Sequence, residues 1–366
     1  MQIQAAVLYE PKTPFIIETV TLDDPKAGEV RVKIAACGVC HSDYHLVSGT
    51  TRHPLPVIAG HEGAGIVDAV GAGVTHVQRG DHVVLNWCPA CGECYYCQHG
   101  QPNLCDTYTT PIWNGTMLDG TSRLSLKGEP VYAYCGLAAF SEYTVVPAPS
   151  CIRIRRDIPL TTASLVGCAV ATGVGAAIYT SPVQPGESVV VFGCGGVGLN
   201  VLQGAALGGA TIIIAVDTQP SKEALAHEFG ATHFLLSSDH TLQDIRDLTG
   251  GRGADRSFEA VGIPKLQELA FEAARPGGSV VLAGLSAMGS ATNLPGAIIT
   301  RTEKTIKGSY YGSVDARRDF PLLLDYYLDG TLKLDELVSQ HWRLDQINEA
   351  FAAMLTGEVA RGVIVF

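Results

Sequence analysis

The sequence predicts an α/β chain of two domains, one built on a doubly wound parallel sheet and one mainly antiparallel. β-type and helical segments alternate from about residue 160 to residue 283, which is typical of a parallel sheet covered by helices. Short β-type runs separated by turn residues fill residues 1–150, which indicates a barrel-like antiparallel domain. A glycine-rich turn also lies between a strand and a helix of the alternating region. At 366 residues the chain has room for two such domains.

Composition and charge exclude several classes of protein. Hydrophobic residues make up 46% of the chain and charged residues 17%, a balance opposite to that of a disordered protein. The net charge is −11 and no long basic run occurs, which argues against nucleic acid or an anionic membrane as partner. The first ten residues lack the basic segment of a signal peptide, and no apolar run has the length of a membrane span. We therefore expect a cytoplasmic protein.

The individual elements follow from the apolar runs and the turn residues between them. In the first part, strands are predicted at 30–35, 65–70, 82–85 and 142–146. In the alternating part, strands are predicted at 188–192, 211–216, 233–236, 256–259 and 279–283. Helices are predicted at 165–179, 197–207, 221–229, 241–249 and 265–274. Towards the end, helices near 317–329 and 344–356 and a last strand at 362–366 complete the prediction.

The glycine-rich turn predicts a dinucleotide site. The motif Gly-x-Gly-x-x-Gly follows one predicted strand and opens a helix, whose N-terminus would face the phosphates. The residues expected at the cofactor are Gly193, Gly195, Gly196, Val197 and Gly198. Asp217 ends the next strand, where an acid hydrogen-bonds the adenosine ribose and repels a 2′-phosphate, and Lys222 can reach the same ribose. The motif therefore favours NAD over NADP; a purely structural glycine turn is the alternative.

Four cysteines in one short segment predict a closed zinc site. Cys91, Cys94, Cys97 and Cys105 can surround a tetrahedral zinc and leave no open position, so the site would be structural. Cys88 also forms a Cys-x-x-Cys pair with Cys91, and its spacing provisionally excludes it. An iron–sulfur cluster or plain buried thiols are the alternatives, although the last gap does not match the spacing of bacterial ferredoxins.

Other candidate ligands are dispersed along the chain, and spacing alone does not assign them. A catalytic zinc needs three protein ligands and one exchangeable position. The candidates are Cys37, Cys40, His41, His45, His61 and Cys168. Cys37 and Cys40 could equally be a redox pair, and Cys168 could be a packing residue in a helix of small residues. The count of 11 cysteines is odd, which excludes a complete scheme of intramolecular disulfides and favours a reducing compartment.

The motifs together resemble those of one enzyme family. Residues 60–65 (Gly-His-Glu-Gly-Ala-Gly), the four-cysteine segment and the glycine turn occur in the order and spacing of zinc-dependent alcohol dehydrogenases of the medium-chain dehydrogenase/reductase superfamily. The similarity extends over essentially the whole chain. It implies a GroES-like catalytic domain formed by residues 1–169 and 310–366, with a structural-zinc lobe. It also implies a Rossmann NAD-binding domain over residues 170–309.

The resemblance also implies roles for the dispersed residues. Cys40, His61 and Cys168 match the ligands of the catalytic zinc, and Cys91, Cys94, Cys97 and Cys105 match the structural set. Glu62 would lie behind the metal and coordinate it transiently. Asp43 would orient His61 and raise its basicity. The cysteines left without a metal role are Cys37, Cys88, Cys135, Cys151 and Cys194.

The implied reaction is oxidation of an alcohol to an aldehyde, and its reverse. A zinc alkoxide would form, and hydride would pass to C4 of the nicotinamide. The proton would leave through Ser42, the nicotinamide ribose and His45. Thr172 would touch the nicotinamide side of NAD, and His41 and Arg361 would meet the pyrophosphate.

The length of residues 106–138 resembles the dimeric branch of the family and implies a homodimer, joined near residues 279–283 and 307–311. Trp87, Tyr108, Thr110 and Leu285 are plausible lining of the alcohol pocket, which favours medium-chain or aromatic primary alcohols. Glutathione-dependent formaldehyde dehydrogenases share this length, but residues 106–109 lack their arginine and residues 50–53 lack their acidic pair. Such an activity and a secondary-alcohol dehydrogenase are the alternatives. The sequence argues against a zinc-free quinone reductase and against a non-catalytic relative.

Overall fold

The computed structural model describes residues 1–357 and 359–366. It divides the chain into two compact units. One consists of Met1–Cys168 with Asp315–Phe366, and the other of Ala169–Val314. The first and last parts of the chain therefore fold together, and the middle part folds as a separate unit.

The first unit is mainly β. In chain order its first strands are β1 Gln2–Leu8, β2 Ile16–Leu22, β3 Glu29–Val39, β4 Val57–Ile58, β5 Glu62–Val70, β6 His82–Leu85, β7 Leu124–Leu126, β8 Glu129–Ala133, β9 Tyr143–Pro147 and β10 Cys151–Ile154. The helices among them are α1 His41–Ser48, α2 Tyr95–Gln98, α3 Asp106–Asn114 and α4 Leu160–Ala163.

The second unit alternates strands and helices. Its helices are α5 Ala169–Gly175, α6 Gly196–Leu207, α7 Glu223–Glu228, α8 Thr241–Leu248, α9 Pro264–Ala273 and α10 Gly296–Thr302. Its strands are β11 Ser188–Phe192, β12 Ile212–Asp217, β13 His233–Leu236, β14 Ala254–Glu259, β15 Ala274–Leu282 and β16 Thr305–Gly308. The chain then returns to the first unit through α11 Ala316–Leu328, β17 Val338–Arg343, α12 Ile347–Thr356 and β18 Arg361–Val365.

Strand β3 organises the first unit. Strands β1, β2, β7, β8 and β4 close a barrel, and a larger sheet runs in the order β10-β6-β5-β3-β18-β17 with β9 also paired to β3. Strand β3 is antiparallel to β5 with Gly38 opposite Glu62, and antiparallel to β18 with Val39 opposite Gly362. This register brings the end of β3, the start of β5 and the last strand of the chain to one place.

The second unit is a six-stranded parallel sheet in the order β13-β12-β11-β14-β15-β16. Every residue of β11 is buried, as expected for a central parallel strand covered on both faces. Strands β12 and β14 lie on opposite sides of β11, so the strand order reverses there. Such a switch point is where doubly wound sheets bind dinucleotides. The predicted doubly wound sheet and the mainly antiparallel β unit are both confirmed.

Most predicted elements agree with the structure to within a few residues, but the helix predicted over 165–179 is not continuous. A 3₁₀ turn over Ser164–Gly167 precedes Cys168, which has φ −149° and ψ −77°, and α5 begins only at Ala169. The last segment, Ala176–Thr180, is a π-helix. The break at Cys168 removes it from the regular helix surface on which the sequence pattern placed it.

No single helix among the described residues is both long and apolar enough to cross a membrane. One bent pair, Leu160–Gly167 with Ala169–Thr180, has sufficient length and apolar composition when its two parts are taken together. Most of its residues are buried, as they are in a core helix.

Candidate active site

Four buried side chains converge in the first unit: Cys40, His61, Glu62 and Cys168. One ligand atom from each lies within 4.8 Å of the others. Cys40 follows β3 and precedes α1, while His61 and Glu62 stand at the start of β5. The register of β3 with β5 therefore brings together three of the four, and the break after the 3₁₀ turn adds Cys168.

Glycine is required where these strands meet. A Cβ atom at Gly38 would lie 2.1 Å from Oε2 of Glu62, and one at Gly167 would lie 2.8 Å from the carbonyl oxygen of Leu85. Gly60 has φ +91°, and a Cβ atom there would lie 2.6 Å from the backbone nitrogen of Phe140. The backbone segments approach so closely that a side chain at any of these glycines would clash with its neighbours.

Asp43 fixes the orientation of His61. Its Oδ1 accepts hydrogen bonds from the backbone nitrogen of Gly60 at 2.9 Å and from Nδ1 of His61 at 3.0 Å. A carboxylate can only accept, so Nδ1 of His61 carries a proton, and in the neutral ring Nε2 is then the nitrogen with the lone pair that a metal needs. Asp43 is fully buried in the first turn of α1, so the same helix that follows Cys40 also positions His61.

A buried ion pair lies beside the ligands. Nη2 of Arg361 is 3.2 Å from Oε1 of Glu62 and 3.8 Å from Sγ of Cys40. Burial raises the pKa of Glu62 to about 7, while Arg361 lowers it. The sequence motif did not indicate this pairing, because Arg361 lies on the last strand, and its predicted contact with a pyrophosphate stays a prediction.

The donor set fits zinc with an open coordination position. Two thiols and one imidazole are the ligand types of a catalytic zinc site with an exchangeable fourth position. A hydrogen bond from Cys168 and the charge of Arg361 lower the pKa of Cys40, which favours the thiolate form that binds metal. Oε1 of Glu62 is paired with Arg361, whereas Oε2 has no partner among the described residues and is available to a metal on this side.

The four-cysteine segment forms a second group in the first unit. Its members are Cys91, Cys94, Cys97 and Cys105, again with their sulfurs within 4.8 Å of one another. Zinc–sulfur bonds of about 2.3 Å in a tetrahedral site would separate the sulfurs by about 3.8 Å. The sulfurs of Cys91 and Cys97 are 3.9 Å apart and those of Cys94 and Cys105 are 3.8 Å apart. The group therefore has the dimensions of a closed tetrahedral zinc site.

Hydrogen bonds to sulfur support a thiolate at Cys91. Sγ of Cys91 accepts from Oγ1 of Thr107 at 3.2 Å and from the backbone nitrogens of Cys94 and Glu93 at 3.3 and 3.4 Å. The bond from Thr107 is the main cause that lowers the pKa of Cys91 to about 6. Cys88 is not in the group; its Sγ donates to the carbonyl oxygen of Asn103 at 2.9 Å.

The predicted proton-relay residues both lie on α1, the helix that also carries Asp43. Ser42 and His45 are half-buried there, and Nδ1 of His45 has no hydrogen-bond partner among the described residues. The hydroxyl of Tyr134 donates to the carbonyl oxygen of Ser42 at 3.1 Å. His41, the first residue of the helix, is exposed.

Aromatic side chains surround His61. Its ring makes edge-on contacts with Tyr134, at 5.8 Å between centroids, and with Trp87, at 6.5 Å. Tyr134 in turn contacts His53 at 5.6 Å and Trp113 at 6.3 Å. Sequence reasoning missed Tyr134, His53 and Trp113.

Two of the residues predicted to line the alcohol pocket differ in exposure within this unit. Tyr108 is buried on α3, whereas Thr110, two residues further on, is exposed. Leu285 belongs to the second unit and is 53% exposed. Of the four predicted lining residues, Trp87 is the one with a ring contact to His61 among the described residues. The other ring contact of His61 is with Tyr134.

The glycine turn of the second unit has the predicted geometry. Gly193 has φ +96°, and a Cβ atom at Gly198 would lie 1.8 Å from the carbonyl oxygen of Gly193. Gly195 precedes α6, whose first residues are Gly196 and Val197. The turn thus leaves backbone N–H groups at a helix N-terminus, which suits a phosphate.

Asp217 ends β12 beside this turn. Its Oδ2 accepts from the backbone nitrogen of Cys194 at 2.7 Å, and its Oδ1 accepts from that of Gln219 at 3.0 Å. Burial lowers the pKa of Lys222, while the charge of Asp217 raises it. The Cys194 thiol is fully buried, and burial raises its pKa to about 12, so it is not a reactive thiolate. Thr172 is buried on α5 of the same unit.

An open metal-ligand group in a GroES-like β unit, together with a Rossmann sheet, defines a zinc-binding dehydrogenase. The family model of the alcohol dehydrogenase GroES-like domain matches residues 26–156, and that of the zinc-binding dehydrogenase matches residues 196–328. The chain belongs to the zinc-dependent alcohol dehydrogenases of the medium-chain dehydrogenase/reductase superfamily.

Full-length relatives support this membership. The chain is 42% identical to the NDMA-dependent alcohol dehydrogenase of Amycolatopsis methanolica, over 100% of this chain and 99% of the relative. It is 40% identical to the S-(hydroxymethyl)glutathione dehydrogenase of Paracoccus denitrificans, over 100% of both chains. The fold is shared with an alcohol dehydrogenase zinc-binding domain protein from Burkholderia ambifaria, at TM-score 0.95 and 33% identity, over 100% of this chain and 99% of the other. It is also shared with benzyl alcohol dehydrogenase from Acinetobacter calcoaceticus, at TM-score 0.94 and 31% identity, with the same coverage.

Cys88 and Cys94 each lie three residues from Cys91. Replacing them one at a time tests whether the segment forms a closed zinc site or a set of buried thiols. We expect Cys94→Ser to lower the zinc bound per chain by about one ion, because loss of a thiolate opens the tetrahedral site. Cys88→Ser, the matched control, keeps the wild-type zinc content because its sulfur bonds a carbonyl oxygen. Elemental analysis of the purified proteins measures both. Unchanged zinc in Cys94→Ser, or an equal loss in Cys88→Ser, would contradict the assignment.

Proposed function

We propose that the protein catalyses NAD-linked oxidation of primary alcohols to aldehydes, and the reverse reaction, with two zinc ions per chain. The observation that carries this proposal is the buried group of Cys40, His61 and Cys168, with the ligand composition of an open zinc site. Zinc bound there would act as a Lewis acid and make an alcohol hydroxyl acidic near neutral pH. The closed group at Cys91–Cys105 would hold the second ion and stabilise its segment.

The chain's own residues orient the ligands and handle the proton. Asp43 keeps His61 in the tautomer that leaves Nε2 free. Ser42 and His45 lie on the same helix as Asp43, so the relay and the ligand support form one rigid element. The free Nδ1 of His45 is able to take up a proton at the end of the relay.

NAD is favoured over NADP by the charge at the end of β12. Asp217 is held beside the glycine turn by its two backbone hydrogen bonds, and a carboxylate there would repel a 2′-phosphate. The residues that follow Asp217 are Thr218 and Gln219, which supply no positive charge to bind such a phosphate. Lys222 would share the ribose hydroxyls with Asp217.

Aromatic primary alcohols fit the surroundings of His61 better than the alternatives. The rings of Trp87, Tyr134 and Trp113 offer edges and faces to an aryl group near the ligand set. One structural neighbour is a benzyl alcohol dehydrogenase, which agrees with this choice. A glutathione adduct would need cationic partners, and residues 106–109 supply none. Medium-chain alcohols are also expected to fit, and secondary alcohols less well.

A homodimer is part of the proposal. Strand β16 is the last of its sheet, three of its four residues are exposed, and no further strand of the described chain pairs with it. The neighbouring α10 has no buried residue, and Ile298 on it is 42% exposed. A second copy related by a twofold axis would cover both copies of this edge with the same contacts.

A reducing compartment agrees with the state of the thiols. All 11 cysteines are free, and six of them belong to the two ligand groups. Oxidation of these thiols would remove metal ligands. We therefore propose a cytoplasmic location.

A panel of alcohols and acceptors tests the reaction. We expect the fastest turnover with benzyl alcohol and NAD, slower turnover with hexanol, and little with a secondary alcohol or with S-(hydroxymethyl)glutathione. Cys40→Ser should lower kcat/KM at least about a thousandfold, because metal stabilisation supplies several kcal/mol. Cys37→Ser is the control, since its buried thiol lies outside the ligand group. Turnover that survives Cys40→Ser would refute the catalytic site. Turnover with NDMA as acceptor but not with added NAD would contradict a reaction in which free NAD accepts the hydride.

The aromatic surroundings of His61 predict a change in selectivity. We expect Trp113→Ala to lower kcat/KM for benzyl alcohol about tenfold and that for hexanol much less, because ring–ring contacts contribute about 0.5–1.5 kcal/mol beyond area. Tyr95→Ala, which removes a ring that is 64% exposed, should change neither value. Equal losses for both alcohols would count against an aryl-binding role.

The exposed edge predicts a specific effect on assembly. We expect Ile298→Glu to convert the dimer to a monomer, because a charge buried in a symmetric contact is repeated across the axis. Leu328→Glu, at a residue with the same 42% exposure on α11, should leave the dimer intact. Light scattering coupled to gel filtration measures the mass. A monomeric wild-type protein, or a dimeric Ile298→Glu, would overturn the proposal.

A further inference from the structure

A buried carboxylate organises the turn that follows β14. Glu259 is 0% exposed, and its Oε1 accepts from the backbone nitrogens of Val261 at 2.8 Å and Gly262 at 2.6 Å. Burial raises the pKa of Glu259, while these N–H groups lower it. Its other oxygen, Oε2, has no hydrogen-bond partner among the residues that the structure describes. A buried acid that backbone donors hold by one oxygen only is costly to keep, which points to a role in holding that backbone.

This turn packs against the glycine motif. The backbone nitrogen of Ala260 donates to the carbonyl oxygen of Phe192 at 3.0 Å, directly before Gly193. A Cβ atom at Gly193 would lie 2.4 Å from Cγ2 of Val261, so the valine side chain lies against the backbone of the first motif glycine. Val261 remains 43% exposed at the carboxyl edge of the sheet. A shift of the turn would therefore move an apolar group next to the phosphate-binding backbone.

The same turn is coupled to the loop that follows β15. A Cβ atom at Gly262 would lie 2.3 Å from the carbonyl oxygen of Leu285, and one at Gly284 would lie 2.1 Å from the backbone nitrogen of Gly262. The two segments thus pack backbone against backbone. Glycine is required on both sides of this contact.

A buried amide on α9 ties the second loop down. Nε2 of Gln267 donates to Oγ of Ser286 at 2.9 Å, and its Oε1 accepts from the hydroxyl of Thr292. One side chain therefore holds the loop after β15 at two points. Gln267 is 6% exposed, so these bonds are protected from exchange with water.

The strand order assigns a function to this arrangement. A dinucleotide lies across the switch point, with its adenosine half at the acid that ends β12. Its second half would therefore lie towards β14 and β15. Glu259 holds the turn after β14, and Gln267 holds the loop after β15. We propose that Glu259 and Gln267 are positioning residues that hold these two turns in the geometry that binds the nicotinamide half of NAD. The inference rests on the proposed NAD site.

Binding of NADH and of AMP to the full-length protein tests this proposal. AMP carries only the adenosine half, so it measures the β12 side alone. We expect Gln267→Met to weaken NADH binding about tenfold and AMP binding less than about twofold, since two loop hydrogen bonds are lost. Glu259→Gln keeps the size of the side chain but weakens its charged hydrogen bonds, and should weaken NADH binding about threefold to tenfold. Fluorescence titration of NADH and calorimetric titration of AMP give the dissociation constants.

Exposed residues supply matched controls. Gln243→Met on α8 and Glu272→Gln on α9 make the same chemical changes at exposed positions and should leave both ligands unaffected. Thermal unfolding shows whether Glu259→Gln is folded. If it is not, NADH and AMP binding to Gln267→Met alone tests the positioning role. Unchanged NADH binding, or equal losses for NADH and AMP, would overturn the positioning role. A wild-type protein that binds neither ligand would instead refute the NAD site.

Discussion

The pairing of β3 with β5 is the constraint on which the group of Cys40, His61, Glu62 and Cys168 depends. Gly38 lies opposite Glu62, and only a residue without a side chain leaves room for the carboxylate. On its other side β3 pairs with β18, so the last strand of the chain brings Arg361 to the same acid. A buried carboxylate without this partner would carry a penalty of several kcal/mol. The pairing of β3 with β18 thus joins distant parts of the first unit, and the ion pair lies beside Cys40.

The sequence predicted the local features well and the long-range ones poorly. The four cysteines lie within one short segment, so their spacing alone indicated tetrahedral ligation. The glycine turn carries its own strand and helix, and α6 begins within one residue of its prediction. The catalytic ligands come from separate strands and a turn, so spacing left them unassigned and only the family resemblance singled them out. Side chains that meet through tertiary contacts, such as Tyr134 against His61 and Trp113 against Tyr134, left no periodic signal.

The wrong prediction of one continuous helix over 165–179 has a physical cause. Small residues at helical spacing fill that segment, and local propensity favours a helix throughout. The main chain departs from helical geometry at Cys168, where the thiol meets Cys40 and His61. Contacts to residues more than a hundred positions away in sequence outweigh a propensity of a few tenths of a kcal/mol per residue. A local conflict of this kind is expected at functional positions, which agrees with the role proposed for Cys168.

The two ligand groups differ in charge, and the difference separates a structural site from a reactive one. Four thiolates outweigh a divalent ion by two negative charges, so the group at Cys91–Cys105 would repel an anionic ligand as well as lack room for it. Two thiolates and a neutral imidazole would balance the ion, and Asp43 holds the proton of that imidazole on Nδ1. Arg361 offsets the charge of Glu62 at the same place. The group at Cys40 would therefore resist negative charge on a bound alcohol oxygen far less than the closed group would. Its buried surroundings, which have a low dielectric constant, would enlarge that contrast.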